Sequence, residues 1–402
     1  MTSSTQLDGE AVAIGPMSAA DVQLTVFNSA AAFAAWWESA QPPARFFAFQ
    51  DPRVMAVWER TLGAGLNAQS CIVRVDDAQG LPLFAVFLAV RRVGRLGTRV
   101  LSFMDAGVCD YNAPILFEPL RPIPVPLRVL WRRIQSAVPS HDIVSLEKMP
   151  STVKGAPNPL WLLGDLSHPS RCHAMTLPLD WETFEREKGR HTIVKAARSN
   201  LRTLDKHGPT RMLIAEKPSE IDRLFDALVA QKRRQFKETG VKDLFDSVPG
   251  FEAFYRGSAG LANLGVTHLS GLCVGDEPVA TIFGFLDRDY FYGVLTAYTR
   301  GQWARYSCGN LHIQMLLRWA IEHGLTRFDF GIGDENYKMF WCDQHVELHD
   351  TRRITSLKGH AHATLSNVRG KARSALRWLG TDRNRPTRSG MHCTGRKSKT
   401  AV

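Results

Sequence analysis

The chain has 402 residues, 44% of them hydrophobic, and a formal charge of +11. That length can bury large cores without disulfides or metals, and no apolar run approaches a membrane span. The charge is concentrated at one end. From Lys358 onward there are 11 basic residues and one acid, whereas the preceding 357 residues carry 39 basic and 38 acidic side chains. A nearly neutral body argues against a folded part that grips a phosphate backbone, so nucleic acid is not an expected partner.

In chain order, residues 1–20 are small and polar, hold Asp8 and Glu10, and lack the basic start of a secretory signal. Disorder is expected there. "VQLTVF" predicts a strand and "AAAFAAWWES" a helix, and Asp51 is placed to cap a second helix through "RVMAVWERTL". Three strands are then expected, "SCIVRVDD", "PLFAVFLAVRRV" and "TRVLSFM", joined by turns at "AQG" and "GRLG". After the polar turn "CDYNAP" come a helix near 124–138 and the strand "HDIVSLEKM". The second half repeats this order. "THLSGLCV", "PVATIFGFLD" and "YFYGVLTAY" form another meander, followed by a helix over 309–323 and a strand over 326–331. The repeated order predicts a tandem duplication.

Between the meanders lie two amphipathic helices. "HTIVKAARSNLRTLDKHG" sets Ile193, Ala197, Leu201 and Leu204 against Lys195, Arg198, Arg202 and Lys206; a solvated face is the plainer reading of that basic stripe, an anionic acceptor groove the other. The second, near 219–237, buries Ile221, Leu224, Leu228 and Val229. The tail over 364–379 again separates apolar from basic residues. It suits either a membrane surface or a solubilising extension, with disorder expected beyond Gly380. The seven cysteines are scattered singly, as reduced cytoplasmic thiols would be, and His141, His173, His191 and His312 have no metal-ligand spacing. No metal is expected.

Two stretches are candidates for chemistry, each with a plainer alternative. These are an N-cap region and turn at Ser307–Gly309, and a solvated turn capped by Asp334 with Phe340 and Trp341 returning to the core. Gly309 opens a helix after a strand and a small-residue loop. The unpaired N–H groups of a helix start attract anions, Gly lets a phosphate approach, and Arg305 could add charge. In "FDFGIGDENYKMFW" (328–341), Asp334 or Glu335 can accept a proton, and Tyr337 and Lys338 can donate one. "DFG" here is not a kinase motif, because no HRDxxxxN, GxGxxGxV or VAIK accompanies it. Asp110, Tyr111 and Asn112 form the corresponding polar turn of the first half, where an Asx turn and a substrate contact remain alternatives.

With "FFAFQDPRVMAVWERTL", "DYNAPIL", "GDEPVATIFGF" and "YSCGNLHIQMLLRWAIEHGLTRFDFGIGDENYKMFW", the chain from about 22 to 357 resembles the CelD-like acyltransferases. These are a branch of the GNAT superfamily related to Fem-type transferases. The resemblance implies an α/β (α+β) fold of two tandem GNAT-like units, each a mixed, mainly antiparallel sheet flanked by helices. It divides the chain into 21–172, a catalytic unit at 173–358, and a basic tail at 359–402. It implies acyl transfer, most simply acetyl, from acyl-CoA to an amine or hydroxyl of a small-molecule or glycan acceptor. By the same resemblance Arg305, Ser307, Cys308, Gly309 and Asn310 hold the CoA diphosphate, although Cys308 and Asn310 stand where the family loop has glycines. Asp334 or Glu335 acts as base, Tyr337 protonates the thiolate, and Asp110, Tyr111, Asn112 and Lys338 bind substrate. A Fem-type aminoacyl-tRNA-dependent transferase and a non-catalytic accessory protein of exopolysaccharide synthesis are the alternatives. The expected place is the cytoplasm, with the tail on the inner membrane face as a further expectation.

Overall fold

The computed structural model describes residues 22–189 and 191–365. The start of the chain and the tail from 366 onward, including most of the helix expected over 364–379, lie outside the described residues.

Local signals set the helix ends, as expected for Asp51. Ser29 accepts the Ala32 N–H and starts the helix Ala30–Ala40. Asp51 accepts the Arg53 N–H at the head of Pro52–Trp58, where proline occupies the first turn and no donor is lost. Gly240, left-handed at φ 68°, ends the 22-residue helix Pro218–Thr239.

The strands form two large sheets of matching order. In the first, Val22–Phe27, Gln69–Asp77, Pro82–Val93 and Thr98–Phe103 run antiparallel in sequence, and Ile143–Pro150 joins in parallel. In the second, Thr210–Ile214, Thr267–Val274, Glu277–Leu286 and Tyr290–Tyr298 are antiparallel, and Arg327–Ile332 joins in parallel. A parallel return needs a crossover, supplied by helices Leu127–Ala137 and Cys308–Glu322. The duplicated order is therefore a property of the fold.

The two units do not divide cleanly at 172/173. Strand Leu348–Ile354, expected in the second unit, pairs with Ile143–Pro150 in the first sheet. Cys172–Thr176 and then Gln344–Val346 extend the second sheet beyond Arg327–Ile332. Each parallel strand would otherwise expose an unpaired edge, and the connecting segments cover it. The units also share a core. Phe47 stacks on Tyr111 with centroids 4.6 Å apart, and Phe49 meets both Phe285 and Tyr292 at 5.4 Å. Lys195, Arg198 and Arg202 are exposed on helix Thr192–Leu204 and Lys206 is exposed in the turn after it, so that stripe is a solvated face.

No helix among the described residues is long and apolar enough to cross a membrane.

Candidate active site

The parallel pair in the second sheet is short. Tyr290, Phe291 and Tyr292 pair with Arg327, Phe328 and Asp329, and pairing stops there. Beyond it the strands part, and a cleft of about 550 Å³ occupies the opening, bordered by Gly293, Val294 and Thr296 on one side and Phe330 and Ile332 on the other. A sheet opened in this way offers backbone N–H and C=O groups to an extended ligand.

One end of the cleft is the start of helix Cys308–Glu322, where Ser307, Cys308, Gly309 and Asn310 border it. Ser307 is left-handed (φ 49°), and its side chain makes no cap bond, which leaves the first turn to another acceptor. A Cβ on Gly309 would stand 3.2 Å from the Tyr298 ring, so only glycine keeps this floor open. Cys308 is buried, and burial pushes its thiol up to about 11, which rules it out as a ready nucleophile.

The other end holds Asp110, Glu335, Tyr337 and Lys338. Glu335 begins the short helix Asn336–Trp341 and pairs with the Lys338 ammonium at 2.8 Å. Tyr337 is mostly buried, and desolvation with the nearby Glu335 charge raises its phenol above the ordinary value, so it stays a proton donor. Asp110 reaches this site from the first unit. Burial raises its carboxyl to about 6 against the opposing pull of Lys148; the Asp329 charge adds to the rise, while Lys338 and the Ile332 N–H that Asp110 accepts oppose it.

Gly331 makes this meeting of units sterically feasible. It has φ +74°, and a Cβ there would lie 2.3 Å from Asp110 Oδ2 and 3.1 Å from the Gly293 carbonyl oxygen. Gly331→Ala is expected to lower unfolding stability by roughly 1–3 kcal/mol. Denaturant melts measure this, and a variant as stable as the parent would show that Asp110 is not held against this turn.

Several residues expected to touch ligand are committed elsewhere. Asp334 lies outside the cleft lining; its Oδ1 accepts from His173 Nε2 at 2.8 Å, and Arg171 stands 3.6 Å away. His173 in turn meets His345 Nδ1 at 2.8 Å, so this carboxylate ties down the outer side of the turn. The Tyr111 hydroxyl donates to Asp329 Oδ2 at 2.6 Å and is 1% exposed. Asn112 is buried with its amide donating to Asp105 and to the Glu147 carbonyl. Lys338 is 3% exposed and donates to the Gly331 and Ile332 carbonyls as well as to Glu335, which uses all three of its protons. Arg305 is exposed on the short helix Gly301–Tyr306, with its guanidinium over the Tyr306 ring at 4.8 Å rather than at the cleft. Tyr111, Asn112, Asp334 and Arg305 thus lie outside the lining of this cleft, and Lys338 borders it with its ammonium taken up by the turn.

Among the cleft residues that escaped the sequence reading are Lys232 and Gln235 on helix Pro218–Thr239. The apolar stripe Ile221, Leu224, Leu228 points the next turn inward, yet positions 231 and 232 are Gln and Lys. Polar residues where a buried stripe continues were the available signal.

The first unit has the equivalent opening but not the equivalent site. Val100–Ser102 pair in parallel with Ile143–Ser145 and the strands then part. There Asp105 accepts the N–H groups of Gly107, Val108 and Cys109 with Oδ1 and meets Lys148 at 2.6 Å with Oδ2. The chain's own carboxylate fills that anion-binding nest.

The mixed sheet thus parts beside a glycine-opened helix, whose N–H groups border the opening. Residues 192–339 match the acetyltransferase (GNAT) domain family. No curated protein matches the chain. Among solved structures it is similar to FemX (12% identity, TM-score 0.52), covering 83% of this chain and 97% of that one. It is also similar to the C-terminal domain of a candidate lysylphosphatidylglycerol synthetase from Agrobacterium fabrum (10% identity, TM-score 0.51), covering 84% and 97%. At these identities the likeness is one of fold.

Proposed function

We propose that the protein transfers an acyl group, most simply acetyl, from acyl-CoA to an amine or hydroxyl of a polysaccharide- or cell-envelope-related acceptor, as a CelD-like enzyme would. The observation that carries this reading is the single cleft that borders both the Gly309 helix start and Tyr337. The helix start suits a diphosphate, the gap between strands suits an extended pantetheine chain, and Tyr337 and Asp110 then flank the reacting carbonyl.

The acceptor must lose a proton to attack, and the departing thiolate must gain one. A carboxyl near 6 is mostly ionised at neutral pH yet basic enough to accept a proton, which favours Asp110 as base. Glu335, 58% exposed and paired with Lys338, serves to orient the turn. Tyr337 protonates the thiolate. This assignment moves the basic step from the turn at 334–335 to a side chain of the first unit, and it gives the second sheet a reason to be fused to the first.

Calorimetry with acetyl-CoA, followed by thiol-release assays on amino sugars, sugar alcohols and peptide amines, tests the reading. Absence of acetyl-CoA binding would remove it and favour the accessory-protein alternative.

A further inference from the structure

The loop before helix Cys308–Glu322 brings no cation to the cleft, because Arg305 lies over Tyr306 and outside the lining. A CoA diphosphate carries negative charge on both phosphates, and a helix start alone answers it only partly. Helix Pro218–Thr239 brings a cation to the same cleft.

Lys232 borders the cleft from helix Pro218–Thr239. Its neighbour Gln231 is buried and fixes the helix in rotation, donating to the Pro278 carbonyl at 2.8 Å and to Thr299 Oγ1 at 3.1 Å, and accepting from Thr281 Oγ1 at 2.7 Å. Lys232 therefore cannot swing away with its backbone. Its ammonium makes a long contact, 3.4 Å to Gln235 Oε1, and lies over the Phe236 ring at 5.7 Å, and among the described residues no carboxylate lies within ion-pair distance of it. The other charged groups of the cleft are Asp110, Glu335 and Lys338, and the last two neutralise each other at 2.8 Å. A half-buried ammonium with no ion-pair partner is unfavourable, and burial lowers its pKa to about 8; the Glu335 charge opposes that fall and the Lys338 charge adds to it. An anion entering the cleft would relieve that cost.

We infer that Lys232 is the counter-ion for the diphosphate of an acyl-CoA, supplied from helix Pro218–Thr239 in place of an arginine in the Ser307–Asn310 loop. This deepens the acyl-CoA reading and rests on it. Lysine serves here as a point charge, and the loop needs only its backbone donors.

Calorimetry on the full chain with CoA, inorganic pyrophosphate and pantetheine, which lacks the diphosphate, provides the test. Lys232→Gln is expected to weaken CoA and pyrophosphate roughly 10- to 100-fold while leaving pantetheine unchanged, and Lys232→Arg to restore most of the loss. On the unmutated protein, pyridoxal 5′-phosphate with borohydride should label Lys232, and CoA should protect it. Unaltered CoA and pyrophosphate affinity in Lys232→Gln, or labelling that CoA does not block, overturns the assignment while leaving the acyl-CoA reading intact. If the parent binds pyrophosphate through Lys232 but not CoA, the acyl-CoA reading falls, and the assignment to an acyl-CoA diphosphate falls with it. If it binds neither, both fall.

Discussion

Asp110→Asn is expected to lower kcat by about 10²- to 10⁴-fold, the usual contribution of a positioned base, with acyl-CoA affinity little changed. The pH profile carries the mechanism. A base near 6 makes the parent's rate rise with pH through that value and then level, and the limb should vanish in the variant. Stability should move the other way. The folded-state pKa of Asp110 lies above that of an unfolded aspartate, so the folded chain holds this proton more tightly. Its ionisation therefore costs stability as pH rises from about 4 to 6, and the uncharged Asn is spared that cost. At pH 7 Asp110→Asn should melt no lower than the parent, while turning over far less. Lost activity together with a lowered Tm and an unshifted pH limb would make Asp110 a structural residue.

Tyr337→Phe is expected to cost about 10²-fold or more in kcat, again without weakening acyl-CoA. Phenylalanine keeps the ring against Phe330, whose centroid is 6.3 Å away, so packing survives and only the hydroxyl is removed. The defect should depend on the leaving group. A thioester of an acidic aryl thiol needs little protonation, and the variant should use it nearly as well as the parent. An equal loss with alkyl and aryl thioesters would deny Tyr337 the acid role. The limb near 6 should persist in this variant, because it belongs to Asp110.

Much of the fold was legible because its signals are local. Asp51 caps the helix it precedes, and the alternating strands fall where the turns divide them. The repeated element order predicted two like units, and both sheets have that order. Strand Leu348–Ile354 was equally legible as a strand, but its sheet was not, since partner choice depends on which edge is left open after all other strands have paired.

The candidate site divides along the same line. Gly309, Glu335 and Tyr337 stood out because residue type and spacing along one segment were enough to mark them. The direction in which each side chain points was not written in the segment. Asp334 and Glu335 are adjacent, yet one is drawn outward to His173 and the other borders the cleft. Asp110 and Lys232 acquire their properties from burial against elements distant in sequence, which desolvates a carboxyl in one case and an ammonium in the other. The amino-acid sequence by itself determined the elements, their doubled order and the glycine-opened helix, because propensity, capping and periodicity act over a few residues. Only the tertiary structure decided which charges share the cleft, because burial and electrostatic interactions depend on distance in space rather than along the chain.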